Sequence, residues 1–446
     1  MNTERISGYQ LFMLCSILYI NGGMISLYKT LSEVAGPDAW FNFIFSMLYA
    51  ICIAFLLYKL SAAHPGKNMF EISESVCGKW AGKLLNILVM WYILHLIIRD
   101  LRMFGDFVGT AVLQRTPTEF IYLSAMLVLM YYATGNLEEF ARSVNLFFPI
   151  FMISIVILPL LLVNETDLSN LLPILSQGSG VILKGGVLST GWAGDIFIFG
   201  AFLNYIRSSR QYYESLRLGI VTSAFVLTVM MLLCTAILGH TITGRAMYPA
   251  YTMMQEINIT DFLDRLDVVL IGFWMPAFLM KIIVLYFSFM AGLSSMLNTG
   301  KLRGINMMSG WMILLLTLVS FRSVMEVYRF GNYAAVPITV FVHFCFLAVV
   351  SLCSLWKTRK KRKRHPRQPL QEEESVVPGR GDVIGWWLSL AVCMAGLFGG
   401  SLAGPWFKLY GQLGGIVYFI AFVGLFVFSI RLFWRWNQIV RHPSPS

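Results

Sequence analysis

Apolar stretches of roughly 20 residues recur along the whole of this 446-residue chain, each long enough to cross a hydrocarbon core of about 30 Å as a helix. No other feature constrains the fold as strongly. A backbone in lipid must satisfy its own hydrogen bonds, which only helices and closed barrels do. Spans are expected at Leu11 to Lys29, Trp40 to Leu60, Leu84 to Phe104, Phe120 to Tyr132, Val144 to Val163 and Val181 to Tyr205. Six more follow at Leu218 to Leu238, Val268 to Leu297, Met307 to Val319, Tyr333 to Trp356, Ile384 to Ala403 and Leu413 to Phe433. The balance of 57% apolar and 13% charged residues agrees, since soluble domains carry about 25% charged residues. The expected class is an all-α integral membrane protein.

The formal charge of +11 would fit a nucleic-acid partner only if the basic residues were clustered for one. They mark topology instead. With the first helix entering from the cytoplasm, Arg5, Lys59, Lys67, Lys79, Lys83, Arg142, Arg207, Arg210, Arg217, Lys301 and Arg303 all fall inside, while the loop bearing Glu165 and Asp167 falls outside. Both termini are therefore expected in the cytoplasm, and no nucleic-acid partner is expected. Arg99, Arg102 and Arg115 are exceptions on the outer side. Seven scattered cysteines with no C-x-x-C pair indicate neither a disulfide framework nor a metal site and read as buried thiols. The first apolar stretch lacks a small-residue cleavage site and is expected to stay as an anchor.

Composition divides the chain into four parts. Residues 1–356 form a ten-helix permease-like core with short connections. Residues 357–382, KTRKKRKRHPRQP followed by Glu372, Glu373 and Glu374, form a basic and then acidic linker that cannot enter lipid. Its basic run suits anionic lipid headgroups, or serves only as a topology signal. Residues 383–436 form a two-helix appendage in which Gly396, Gly400 and Gly404 make a close-approach stripe, and 437–446 form a cytoplasmic tail.

Two glycine clusters interrupt the apolar pattern: Asn21 to Ser26 (NGGMIS) in the first span and Ser189 to Asp195 (STGWAGD) in the sixth. Glycine tolerates non-helical dihedrals, so a membrane helix can unwind there and offer bare peptide groups to a ligand. Each cluster alone is better read as a site of tight helix packing. Their matching positions in two five-helix halves point instead to the midplane site of an inverted-repeat transporter, which places Gly22, Gly23, Gly191, Trp192 and Gly194 among the candidates.

Asp195 stands beside the second cluster, where an ionised carboxylate costs about 3 kcal/mol unless it is paired or solvated. Lys281, inside the eighth span, is its expected partner. The pair serves either a ligand or structure alone. Tyr92, His95, Arg99 and Arg102 share one face of the third span, as a cavity lining or as a helix end among headgroups. His343 reads as a hydrogen-bonded core histidine. No H-E-x-x-H, G-x-S-x-G, Walker or dinucleotide motif occurs, so neither cofactor nor enzymatic activity is expected. Arg99, Asp100, Arg102 and Asp106 are the only cluster that a lipid-active enzyme could use.

The order of several stretches resembles the spore germination permeases, the B subunits of nutrient germinant receptors. These are ISGYQLF at Ile6, AGPDAW at Ala35, LRMFGDFVGTAVLQRTP at Leu101, TGNLEEFAR at Thr134, DLSNLLPIL at Asp167, GWAGDIFIF at Gly191 and ITDFLDRLDVVLIGFWMPAFLMK at Ile259. The resemblance implies the amino acid, polyamine and organocation transporter fold, with two inverted five-helix repeats and broken helices one and six. The two C-terminal helices are additional. It further implies a spore inner membrane location, an A subunit and a lipoprotein C subunit as partners, and a nutrient, typically an amino acid, bound at Gly22, Gly23, Tyr92, His95, Gly194, Asp195 and Lys281. This chain departs from the pattern in carrying Asp195 where the family often has Glu, and in its two extra helices. The functions to be weighed are a receptor subunit triggered by nutrient binding and an autonomous ion-coupled amino-acid or polyamine transporter.

Overall fold

The computed structural model describes residues 5–206, 208–257, 266–297, 302–364 and 380–441. Helix α1 (Gly8–Met24) starts on a capping box in which the Ser7 hydroxyl accepts the Gln10 N–H and the Gln10 side chain accepts the Ser7 N–H. Two residues later α2 (Leu27–Ala35) begins, and the chain turns at Gly36, whose φ of 53° favours glycine. A 3₁₀ segment (Gly36–Asn42) leads into α3 (Phe43–Ala63), then α4 (Met69–Cys77) and α5 (Lys79–Phe107), which ends in a π turn (Val108–Val112). After α6 (Thr118–Tyr132) and α7 (Leu137–Leu161), α8 (Ser179–Ala193) passes without a gap into a 3₁₀ segment, Gly194–Tyr205. The rest comprises α9 (Ser209–Arg245), α10 (Pro249–Gln255), α11 (Leu266–Leu297), α12 (Leu302–Ser320), α13 (Val324–Arg329), a π turn (Phe330–Ala334), α14 (Ala335–Arg364), α15 (Arg380–Ala403) and α16 (Lys408–Arg441).

Among the described residues, 10 helical stretches are long and apolar enough to cross a membrane. The remaining expected spans fall on α1, with 17 residues, and α6, with 15. The chain is an integral membrane protein.

Contacts between helices repeat when the first five passes are exchanged for the second five. Helix α1 packs on α9 as α3 packs on α8; α1 packs on α7 as α8 packs on α14; α5 packs on α12 as α6 packs on α11. The pairs α5 with α11 and α6 with α12 map onto themselves. This is the signature of two structurally equivalent halves. At their centre, residues 14–24 and 191–203 are buried without exception, so the matched interrupted segments form the axis of the molecule.

The final two helices form a hairpin against this body. Gly396 and Gly400 let α15 approach Gly414 of α16 so closely that a Cβ on Gly396 would lie 3.0 Å from the Gly414 carbonyl oxygen. Tyr418 packs edge-on against Phe41 (ring centroids 4.8 Å apart) and Phe426 stacks on Phe225 at 4.9 Å. Phe433 meets Tyr9 at 5.1 Å, which puts both ends of the described chain at the same end of the bundle. Helix α14 runs into the basic segment as far as Arg364. Most of the expected linker at 357–382, and the last five residues of the expected tail, lie outside the described residues.

The reading of all cysteines as buried needs correction. Cys15, Cys234 and Cys393 are buried, but Cys52 is exposed and Cys77, Cys345 and Cys353 are half-buried. An apolar thiol on a lipid-facing position incurs no solvation cost, so span membership did not imply burial.

Candidate functional site

Four ionisable side chains with no solvent exposure close a ring of alternating charge at the centre of the bundle. Arg99 Nε lies 2.8 Å from Asp100 Oδ1, and Arg99 Nη2 lies 3.0 Å from Asp195 Oδ2. Lys281 Nζ completes the ring, 3.0 Å from Asp195 Oδ2 and 2.8 Å from Asp100 Oδ2. Helix α5 supplies adjacent Arg99 and Asp100, the 3₁₀ segment supplies Asp195 as its second residue, and α11 supplies Lys281. Two positive and two negative charges cancel, which is what makes their joint removal from water tolerable. The ring is not saturated. Asp195 Oδ1 and Arg99 Nη1 are buried without a hydrogen-bond partner among the described residues.

Trp192 roofs this ring. Its indole lies 3.9 Å from the Arg99 guanidinium carbon and 4.8 Å from Lys281 Nζ, both within cation–π range. Gly22 closes another side, where an added Cβ would stand 3.3 Å from Lys281 Nζ and 3.4 Å from the Trp192 ring.

The two interruptions differ in form. In the first, Gly22 and Gly23 remain helical and the break comes at Ile25 and Ser26, the latter with φ −122° and ψ −27°. A membrane helix opens where its freed peptide groups find other partners. Ser26 has them in Asn332, whose amide donates to the Ser26 carbonyl (3.3 Å) and accepts from its hydroxyl (3.1 Å). In the second, the helix tightens from α to 3₁₀ at Gly194 and keeps that geometry to Tyr205, with a kink at Phe202. So long a 3₁₀ run is uncommon and is found where a chain is under constraint.

Of the residues expected to form the site, the structure brings Gly22, Trp192, Asp195 and Lys281 together. The other three glycines face elsewhere. Gly23 packs on Leu227 of α9, Gly191 on Val336 of α14, and Gly194 on Thr339 and His343 of α14. Tyr92 is buried against His343 (5.1 Å) and Phe197 (6.2 Å), and half-buried His95 lies beside Tyr92 (5.2 Å) and Phe330 (5.9 Å). His343 accepts or donates a hydrogen bond with the Tyr49 hydroxyl at 3.0 Å, as a core histidine should.

Of the two readings of the third-span face, a cavity lining or a helix end among headgroups, burial favours the inward-facing one for Arg99 and Arg102. Helix α5 continues to Phe107, so Arg99 is fully buried in the ring and Arg102, largely buried, pairs with Asp106 at 3.2 Å. The signal available was the dipeptide Arg99-Asp100 itself, two opposite charges set directly after the apolar run Leu96-Ile97-Ile98.

Two cavities lie away from the ring, with no ring residue in either lining. At the end of the bundle where Ile6 N–H donates to the Tyr205 carbonyl, a cavity of about 850 Å³ is lined by Asn68, Glu71, Glu74, Lys79, Phe202 and Asn204. Phe202 is seven residues beyond Asp195, or roughly 14 Å at the 3₁₀ rise. Toward the other end Met24, Ile25, Phe107, Tyr248 and Trp274 leave a void of only about 20 Å³.

A family model described as "Spore germination protein" matches residues 5–325. Among curated relatives, the putative spore germination protein YfkT of Bacillus subtilis is 28% identical over 280 residues, 63% of this chain and 76% of the relative. Spore germination protein KB of Bacillus subtilis is 25% identical over 272 residues, 60% of this chain and 72% of the relative. Among solved structures, Mhp1, a nucleobase-cation-symport-1 family transporter in a closed conformation with bromovinylhydantoin bound, is similar with a TM-score of 0.61 at 12% identity, covering 98% of this chain and 94% of that one. The Eremococcus coleocola manganese transporter is similar with a TM-score of 0.51 at 11% identity, covering 96% and 95%. At these identities the two structures bear on the fold alone: two inverted five-helix repeats with two further helices.

Proposed function

The chain belongs to the spore germination protein family, and from that premise we propose that it binds a small zwitterionic nutrient of the amino-acid class at the buried ring and converts occupancy into the germination signal. The observation that carries this reading is the ring's residual valence. One carboxylate oxygen, Asp195 Oδ1, and one guanidinium nitrogen, Arg99 Nη1, are left over from an otherwise neutral set. An ammonium group pairs with the first and a carboxylate with the second, both as charge-assisted hydrogen bonds. A zwitterion fills both and leaves the net charge of the site unchanged, whereas an isolated cation or anion would add a buried charge. Gly22, Arg99, Trp192, Asp195 and Lys281 form the ligand site in this reading, and Gly23, Tyr92, His95, Gly191 and Gly194 pack the helices that hold it. Occupancy signals because the ligand binds one arrangement of the two interrupted helices more tightly than the other.

The reading includes a location in the spore inner membrane with both termini cytoplasmic, and assembly with an A-type membrane subunit and a C-type lipoprotein. It is tested by equilibrium binding of labelled amino acids to the full-length protein in lipid nanodiscs. The carboxamide and N-acetyl forms of the best ligand should bind at least about tenfold more weakly than the free amino acid. Equal binding of all three would sink the zwitterion reading.

The cavity of about 850 Å³ favours a second reading, an autonomous ion-coupled transporter of amino acids or polyamines. It lies at the end bearing both termini, beyond Phe202 on the segment that carries Asp195. Uptake by this chain alone in proteoliposomes would support it, and uptake or signalling only with partner subunits would exclude it.

A further inference from the structure

Asn332 sits in the π turn between α13 and α14, beyond the residues matched by the family model, and is 2% exposed. Its side-chain amide has four hydrogen-bonding positions and all four are used. Oδ1 accepts from the Ser26 hydroxyl at 3.1 Å and from the Trp192 indole Nε1–H at 2.9 Å. Nδ2 donates to the Ser26 carbonyl at 3.3 Å and to the Thr30 hydroxyl at 2.8 Å. The partners fix the amide's orientation, because turning it over would set the indole N–H against a second donor. Beside it, Gly331 leaves room for the roof: a Cβ there would stand 3.1 Å from Trp192 and 3.3 Å from the Arg99 side chain.

One side chain from the tenth pass therefore joins the break of the first pass to the indole that covers the ionic ring in the sixth. We propose that Asn332 is a positioning residue that latches Trp192 over the ring, and that opening the site to a zwitterion requires the Asn332–Trp192 bond to break. The π turn is what makes this possible. It advances the register of the pass by one residue, so that Gly331 and Asn332 both face inward, an arrangement that recurs at functional positions in helices. Ser26 and Thr30 hold the amide when the indole leaves, so the outer half-helix α2 keeps its anchor while the roof moves. The inference rests on the proposed ligand reading for its purpose, but the latch itself exists without ligand.

The test is amide hydrogen exchange on the full-length protein in nanodiscs with no ligand added. Trp192→Phe keeps an aromatic ring over Arg99 but removes the indole N–H together with the five-membered ring that carries it, and Asn332→Ala removes the whole amide. The expected result is faster exchange in residues 188–198 by about tenfold in both variants, which is the scale of one lost hydrogen bond. In Asn332→Ala exchange also rises in residues 24–31, which Trp192→Phe leaves unchanged. A uniform rise across all helices in Asn332→Ala, with no local rise in Trp192→Phe, would overturn the latch and leave Asn332 a packing residue. A second readout is ligand affinity, taken in Asn332→Ala, which leaves the ring and its indole cover intact in composition: releasing the latch lowers the half-saturating concentration of a bound amino acid several-fold with the maximal signal unchanged. If exchange behaves as expected while no amino acid binds, the latch stands and the ligand reading falls.

Discussion

Neutralising two members of the ionic ring with opposite sign should cost clearly less than the sum of neutralising each alone. Asp195 makes two contacts of 3.0 Å, to Arg99 and Lys281. At an effective dielectric near 20 each is worth roughly 5 kcal/mol of attraction, offset by desolvation and by repulsion from Asp100. Asp195→Asn keeps the shape, but leaves two cations facing one carboxylate, a buried net charge that should lower stability by about 3–5 kcal/mol. Lys281→Met leaves the opposite imbalance and a similar loss. The double variant leaves Arg99 paired with Asp100 at 2.8 Å, so its loss should fall short of the sum of the singles by about 2 kcal/mol or more. The assay is reversible unfolding of the full-length protein in bicelles, run as a double-mutant cycle. Losses that add within about 0.5 kcal/mol would refute the ring as an electrostatic unit.

Other outcomes follow from packing. Gly194→Ala would drive a Cβ into the Thr339 methyl, lowering stability by about 1–3 kcal/mol; Thr339→Ser removes that methyl and should restore most of the loss, as read in the same unfolding assay. Gly404, in the turn that follows α15, lies against the Leu175 carbonyl, while the Leu175 N–H donates to buried Asp38 at 2.6 Å. Gly404→Ala should therefore loosen the loop, with exchange over residues 173–178 rising about tenfold and the ring residues unaffected; an unchanged loop would mean that the hairpin does not brace it.

The fold was legible because lipid leaves the chain few options. Twelve apolar stretches with glycine clusters in the first and sixth gave the passes and the axis, and buried Asp195 pointed to Lys281 across 86 positions. What could not be read was which partners distant segments would supply. Glycine marked where a helix can open, yet the first break fell at Ser26, because Asn332 offers replacement hydrogen bonds there. Gly23, Gly191 and Gly194 look like Gly22 in the sequence, and only packing shows that they admit Leu227, Val336 and Thr339 rather than face the ring. Arg99 and Asp100 were visible as charges near a span's expected end, but pattern alone does not say how far a helix continues past its last purely apolar turn.

The central claim is that a zwitterion docks on Asp195 and Arg99, and dipolar-coupling NMR tests it most directly. The sample is the full-length protein in lipid, saturated with a doubly labelled amino acid that it binds. Docking places the ligand nitrogen within about 4 Å of the Asp195 carboxyl carbon, and the ligand carboxyl carbon equally near an Arg99 guanidinium nitrogen. Both couplings should appear, and both should vanish in Asp195→Asn if binding is lost with the charge. Saturation with neither coupling present would place the nutrient elsewhere and leave the ring a structural brace.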